Sequence, residues 1–218
     1  CTLLTKTEMP PPGLDVQAEY GNLKRLKILF GEQCNVACIM CPQDHRSRVA
    51  LGAKRLTQDL DLSPFESIEL QGGEPLLIRS AKEFFEYAAS QSKKVSFLTN
   101  GVPINDEWAE KIALHSAFIY VSLNAATKRT HELVNKGSRW EVVLRNIQRV
   151  RAARARLNTG LNIWGHMTIV VENLEEIPLF IRDFTGFGFD AIDFGFDAAT
   201  VPPYLRAQGG RIPELARA

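Results

Sequence analysis

"LKRLKILFGEQCNVACIMC", residues 23–41, runs an apolar stretch straight into three cysteines. Leu23 to Phe30 reads as a β-strand that stops at the glycine of "GEQC". Cys34, Cys38 and Cys41 then fall in a C-x3-C-x2-C pattern, and Cys1 is the one other cysteine in the chain. Three thiols this close in sequence make a poor disulfide framework, which staples segments that are far apart. As thiolates they can wrap one face of a soft metal centre. The pattern reads as a reduced, cytosolic protein with a metal-type cysteine group at the end of a strand.

The same form recurs along the chain. Apolar runs stand at "SIELQ" (67–71), "VSFLTN" (95–100), "FIYVSLN" (118–124), "NIWGHMTIV" (162–170) and "AIDFGF" (191–196). Helical segments lie between them. "RSAKEFFEYAASQS" begins near Ser80, "NDEWAEKIALHS" has a cap at Asn105 or Asp106, and "ENLEEIPLFIRDFTG" is expected as one helix stopped near Gly186. Strands separated by helices of this length predict βαβ units and a parallel sheet. Right-handed crossovers curl six such units into an open sheet or a partial barrel. "GEQC", "QGGEP", "LTNG", "SLNAA" and "FGFDAA" all lie at or just past a strand's C-terminal end. Parallel α/β folds place their active sites on that rim.

The whole chain sets bounds on function. Its 218 residues suffice for one substantial core, and 45% hydrophobic with 23% charged residues is ordinary for a globular protein. A formal net charge of +1 gives no reason to expect nucleic acid or an anionic membrane as partner. No apolar run approaches the roughly 20 residues of a membrane span, and the polar, proline-bearing start is wrong for a signal peptide. Residues 1–22 are expected as an arm and 23–218 as the core domain, with room for the whole to be part of a longer chain. In "RNIQRVRAARAR", arginines 145, 149, 151, 154 and 156 are read as a solvated face opposite Val143, Ile147 and Val150.

Two metal readings compete at the cysteines. Structural zinc takes four ligands, commonly as two pairs; no second cysteine pair follows here, and His45 would make a fourth ligand at an uncommon spacing. A 4Fe–4S cluster normally takes four cysteines. With three, one iron stays open to a small molecule.

With "GGEP" (72–75), "TNG" (99–101) and "SLNAA" (122–126) following the second, third and fourth strands, the chain resembles the radical S-adenosylmethionine (SAM) enzymes. The resemblance covers about residues 23 to 200 and is nearest to the SPASM/twitch branch, without that branch's cysteine-rich C-terminal extension. It implies an α/β fold, a partial (β/α)6 TIM-like barrel of parallel strands. It further implies a 4Fe–4S cluster on Cys34, Cys38 and Cys41, with SAM on the open iron. Gly72, Gly73 and Glu74 would meet the SAM amino group, where paired glycines allow close approach and a carboxylate suits an ammonium. Thr99 and Asn100 join the cofactor contacts; Ser122 and Asn124 would meet the ribose hydroxyls or the SAM carboxylate. Met40 would lie near the adenine, and backbone at Phe194 and Gly195 would pair with it. The implied reaction is reductive cleavage of SAM to a 5′-deoxyadenosyl radical, which abstracts hydrogen from a peptide or small metabolite. A flavodoxin- or ferredoxin-like donor supplies the electron, and the setting is cytoplasmic.

Relatives often carry an arginine after the fourth strand, for which Lys136 and Arg139 are the candidates here. Of the two places open to His166, the barrel interior near SAM and the core or wall, the core or wall is preferred; Asp193 and Asp197 are read as substrate-facing or loop-capping, and Trp108, Trp140 and Trp164 as packing residues. The competing function is a zinc or iron–sulfur redox or structural module without SAM chemistry. A third reading, SAM-dependent methyl transfer by a polar route, is disfavoured, because Cys34 to Cys41 stand where a Rossmann-type methyltransferase has its glycine-rich turn.

Overall fold

All six apolar runs form strands, and all six strands are parallel. The computed structural model describes residues 24–208. The strands are β1 (Arg25–Leu29), β3 (Ser67–Gln71), β4 (Val95–Thr99), β5 (Phe118–Ser122), β7 (Asn162–Ile169) and β8 (Ala191–Phe196). They form one sheet in the order β1-β3-β4-β5-β7-β8. That order leaves β1 and β8 as the two edges, the arrangement of a barrel left open on one side. A second ladder, only two residues long, pairs β2 (Ala37–Cys38) antiparallel with β6 (Asn135–Lys136).

Alternation along the strands sorts the two faces of the sheet. Ile68, Phe97, Ile119, Val121, Ile163 and Met167 are at most 1% exposed and pack under the helices. Their neighbours carry the other face. There Arg25 meets Glu69 at 2.8 Å, the Tyr120 and Trp164 rings lie 5.5 Å apart, and His166 Nδ1 lies 2.9 Å from Asp193 Oδ2. The concave side of the open barrel is thus charged and aromatic, and the convex side is apolar.

The helices are α1 (Ala53–Asp59), α2 (Arg79–Ser90), α3 (Asp106–His115), α4 (Lys128–Val134), α5 (Trp140–Leu157), α6 (Ile177–Phe187) and α7 (Val201–Ala207). In α2, Ala81, Phe84, Phe85 and Ala88 recur at helical spacing and are buried. Phe84 packs on Phe30 and Phe85 on Phe97 and Trp108. Burying each such ring contributes about 1.5–3 kcal/mol. Asn105 caps α3 by accepting the Trp108 N–H at 2.8 Å. In α5, Val143, Ile147 and Val150 are buried, while Arg149, Arg154 and Arg156 pair with Asp106, Asp190 and Glu110.

The segment expected as one helix over 172–186 differs. A 3-10 turn, Val171–Glu176, precedes α6, whose end lies at Gly188 (φ +102°), so that Gly186 sits inside the helix. Pro178 explains the break. Its ring fixes φ and it has no N–H, so it suits a helix's first turn and not its middle. The arm assigned to residues 1–22 and the terminal "GGRIPELARA" lie outside the described residues. Among the described residues no helix is long and apolar enough to cross a membrane.

Candidate functional site

The cysteine loop is held at three places. The Cys34 N–H donates to the His45 carbonyl at 3.0 Å, and the Cys41 N–H to the Cys38 carbonyl at 3.1 Å, closing a turn. The third anchor is far along the chain. β2 pairs Ala37 with Lys136 and Cys38 with Asn135, and the Ile39 N–H reaches the Val134 carbonyl at 3.0 Å. All three cysteines of the motif are free thiols; Cys34 and Cys38 are half-buried and Cys41 is exposed. Burial raises the Cys34 thiol, and burial with the neighbouring Cys34 and Cys41 pushes Cys38 up to about 12. A metal bound here would therefore displace protons.

A cleft of about 290 Å³ opens beside this loop. Cys34, Cys38, Met40 and Cys41 line one wall. Gly72, Gly73 and Glu74, then Thr99 and Asn100, then Ser122 and Asn124 line the others, with Thr168 of β7. Phe194 and Gly195 are not in that lining. The Phe194 ring packs on Phe180 beneath α6, and Gly195 lies beside the His166 ring. Lys136 is tied into the two-residue ladder, and Arg139 lines a separate surface hollow with Lys128 and Glu141. His45 also lines the cleft. Among the described residues no three His, Cys, Asp or Glu side chains gather closely enough for a single metal ion. Thiolates that each hold a different iron need not converge that far.

The turn after β3 shows why two glycines are needed. A Cβ on Gly73 would lie 2.1 Å from the Gln33 carbonyl oxygen and 2.5 Å from that of Glu32. Gly72 has φ +119°, and a Cβ there would lie 2.4 Å from the Gly31 oxygen. The Gly73 and Glu74 N–H groups donate to the Gly31 and Gln33 carbonyls, both at 2.8 Å. An ammonium can only donate, so the group that the Gly73 backbone offers it is the carbonyl.

The Glu74 carboxyl is engaged within the protein. It is 0% exposed. Its Oε1 accepts from the Thr99 hydroxyl at 2.9 Å and the Leu76 N–H at 3.2 Å, and its Oε2 from the Asn100 N–H at 2.7 Å. The carboxyl thus ties the turn after β3 to the turn after β4. Burial pushes it up to about 7, against the pull of those donors.

Asn124 is likewise engaged internally. It adopts φ +58°, its Nδ2 donates to Asn135 Oδ1 at 2.9 Å, and its Oδ1 accepts from the Thr168 N–H at 2.8 Å. Asparagine tolerates the left-handed region better than most residues. On the concave wall, His166 joins Asp193 to Thr168, with Nε2 3.1 Å from the Thr168 hydroxyl. Asp197 instead accepts from the Ala199 N–H and the Thr200 hydroxyl, a loop cap.

Two asparagines at this site went unread in the sequence. Asn135 is 2% exposed; its Nδ2 donates to the Leu123 carbonyl at 3.0 Å, and its Oδ1 lies 3.3 Å from Cys38 Sγ. Asn173 is fully buried and bridges the Asn124 and Thr168 carbonyls at 2.8 and 2.9 Å. Neither stands in a motif. The one available signal was a polar amide beside an apolar helix face, which is common in any protein.

Comparison with known proteins agrees with this geometry. The family model described as "Radical SAM superfamily" matches residues 28–184. The mycofactocin maturase MftC of Mycobacterium ulcerans is 26% identical over 126 residues, which is 55% of this chain and 34% of that protein. The S-adenosylmethionine-dependent nucleotide dehydratase RSAD2 of Danio rerio is 26% identical over 130 residues, 56% of this chain and 36% of its own length. Streptococcus suis SuiB, solved with its precursor peptide SuiA, superposes with a TM-score of 0.67 at 16% identity. That match covers 84% of this chain and 42% of SuiB. The chain spans about a third of the two sequence relatives, and at such identity the structural likeness speaks for the fold.

Proposed function

The chain belongs to the radical SAM superfamily, and we propose that it reductively cleaves SAM at a 4Fe–4S cluster to start hydrogen abstraction from a peptide. One observation carries the reading. Three strand-end motifs, separated in sequence, line a single cleft together with three free thiols. The redox or structural module offers no reason for that convergence.

The residues present fit both cofactors of the family. Cys34, Cys38 and Cys41 supply three thiolates from one loop, leaving one iron of a four-iron cluster without a protein ligand. The backbone of Gly72 and Gly73 approaches the cysteine loop more closely than any side chain would allow. When bound, the cluster and SAM supply the electron transfer and C–S cleavage that yield a hydrogen-abstracting carbon radical. The protein's own part is placement and shelter. Glu74 locks two of the turns that shape the cleft. Ser122 and Thr168 stand on neighbouring strands at its floor, and Met40 brings a soft apolar contact to its wall. The half-buried position of Cys34 and Cys38 limits water at the reacting end.

Two neighbours support a peptide substrate: SuiB is solved with its precursor peptide SuiA, and anSMEcpe with bound AdoMet and a Cp18Cys peptide. In this chain the concave face next to the cleft is open, and its aromatic and charged side chains suit an extended polar ligand. An external one-electron donor completes the system.

The test is anaerobic reconstitution with iron and sulfide, followed by dithionite and SAM. Cluster-dependent 5′-deoxyadenosine, with iron and sulfide near four each per chain, is the expected result. One tightly bound zinc and no 5′-deoxyadenosine would hand the cysteines to the structural reading. Adding short peptides, or nucleotides, then addresses the substrate. Stimulation by nucleotides alone would overturn the peptide assignment.

A further inference from the structure

Asn100 is the point where the two turns locked by Glu74 meet the cysteine loop. Its N–H is held by Glu74 Oε2 at 2.7 Å. Its side-chain Oδ1 accepts the Val102 N–H at 2.9 Å. A backbone N–H can only donate, so the atom facing Val102 is the amide oxygen and the other end is the NH2 group. That group has two hydrogens and two acceptors: Asn35 Oδ1 at 2.9 Å and Cys34 Sγ at 3.5 Å. The amide's orientation is therefore set by its neighbours, and one N–H is aimed at a cluster-ligand sulfur.

Cys38 has the opposite surroundings. Its sulfur lies 3.3 Å from Asn135 Oδ1, a side-chain acceptor whose own orientation is fixed because Asn135 Nδ2 donates to the Leu123 carbonyl. One cysteine meets a donor and the other meets an acceptor. The charge on the two thiolates is thus unequally supported by the protein.

Resting on the radical SAM reading, we propose that Asn100 is a positioning residue that tunes the reduction potential of the cluster through its amide N–H to Cys34 Sγ. An N–H aimed at a thiolate sulfur stabilises negative charge, and the reduced cluster carries one more negative charge than the oxidised one. The contact therefore makes one-electron reduction by an external donor easier. Its removal makes the potential more negative. Partners of this kind around metal-bound ligands commonly tune a site in this way.

The test compares wild type with Asn100→Ser by EPR-monitored redox titration of the reconstituted proteins. Serine keeps an oxygen that can accept the Val102 N–H, so the turn survives, but it is too short to reach Cys34. The expected result is full iron and sulfide content with a midpoint potential more negative than wild type. Asn100→Asp, which places a carboxylate at the same spot, shifts it further in the same direction. An Asn100→Ser protein with a full cluster and an unmoved potential overturns the proposal while leaving the family chemistry intact. Loss of cluster in the wild type itself refutes the radical SAM reading instead. If Asn100→Ser fails to load, wild type labelled with 15N at the asparagine side chains decides. A 15N hyperfine coupling to the reduced cluster that is present in wild type and missing from labelled Asn100→Asp supports the contact; a coupling absent from wild type, or retained in Asn100→Asp, overturns it.

Discussion

Gly73→Ala is the substitution with the most to say about how this site is built. The added Cβ would lie 2.1 Å from the Gln33 carbonyl oxygen and 2.5 Å from the Glu32 oxygen. Both are backbone atoms, so no side chain can swing away, and the turn after β3 must separate from the segment that leads into Cys34. Overpacking of this kind costs about 1–3 kcal/mol. Separation also strains or breaks the Gly73–Gly31 and Glu74–Gln33 hydrogen bonds, each contributing about 1 kcal/mol. The sum is about 3–5 kcal/mol, a large part of an ordinary domain's stability. Urea denaturation of the metal-free protein measures it. The same variant should also hold less iron after reconstitution, because the displaced residues immediately precede a ligand. Gly186→Ala is the internal control. That glycine lies inside α6 with open space around its Cα, so alanine should stabilise by about 0.5–1 kcal/mol. A Gly73→Ala protein that unfolds at the wild-type midpoint and loads iron normally would refute the close-packed-turn argument.

Other outcomes follow from the same contacts. Cys38→Ala should lose the cluster and 5′-deoxyadenosine formation while keeping its circular dichroism; activity surviving that change would sink the ligand assignment. Asn135→Ala leaves the Asn124 amide and the Leu123 carbonyl without their partner, at about 2–4 kcal/mol by denaturation. Glu74 gives a pH signature. Its folded-state value of about 7 stands above the 4.5 of an ordinary glutamate, so the folded protein holds this proton more tightly than the unfolded chain. Stability from this group is present below pH 4.5, is lost as pH rises toward 7, and amounts to about 3 kcal/mol in all. Glu74→Gln should abolish that part of the slope, and parallel profiles for the two proteins would disprove it.

The sheet was legible because each strand carries its own evidence. Runs such as "VSFLTN" and "FIYVSLN" are apolar, bounded, and separated by helical stretches, so six strands and their parallel sense follow from local pattern alone. The motif residues at strand ends were legible as well, since topology brings all such ends to one rim. Details depending on partners distant in sequence were not. Two paired residues, Ala37–Cys38 against Asn135–Lys136, are too few to show any periodicity. The sequence offers the Glu74 carboxylate as a ligand group, and only the fold reveals three donors converging on it. Phe194 and Gly195 are read for their backbone groups, and only the fold shows that the phenylalanine ring packs on Phe180 of α6. The single helix expected over 172–186 had the right period, and Pro178 set where it could begin.

The short ladder between Cys38 and Asn135 also imposes an order of events during synthesis. The two residues are 97 positions apart, and chains grow at roughly 5–20 residues per second. The cysteine loop therefore emerges about 5–20 seconds before the strand that fixes it. During that interval three thiols are available without their final geometry, to iron, to oxidants or to one another. Cluster delivery that waits for residue 136 finds a loop already held; delivery before then must form the loop itself.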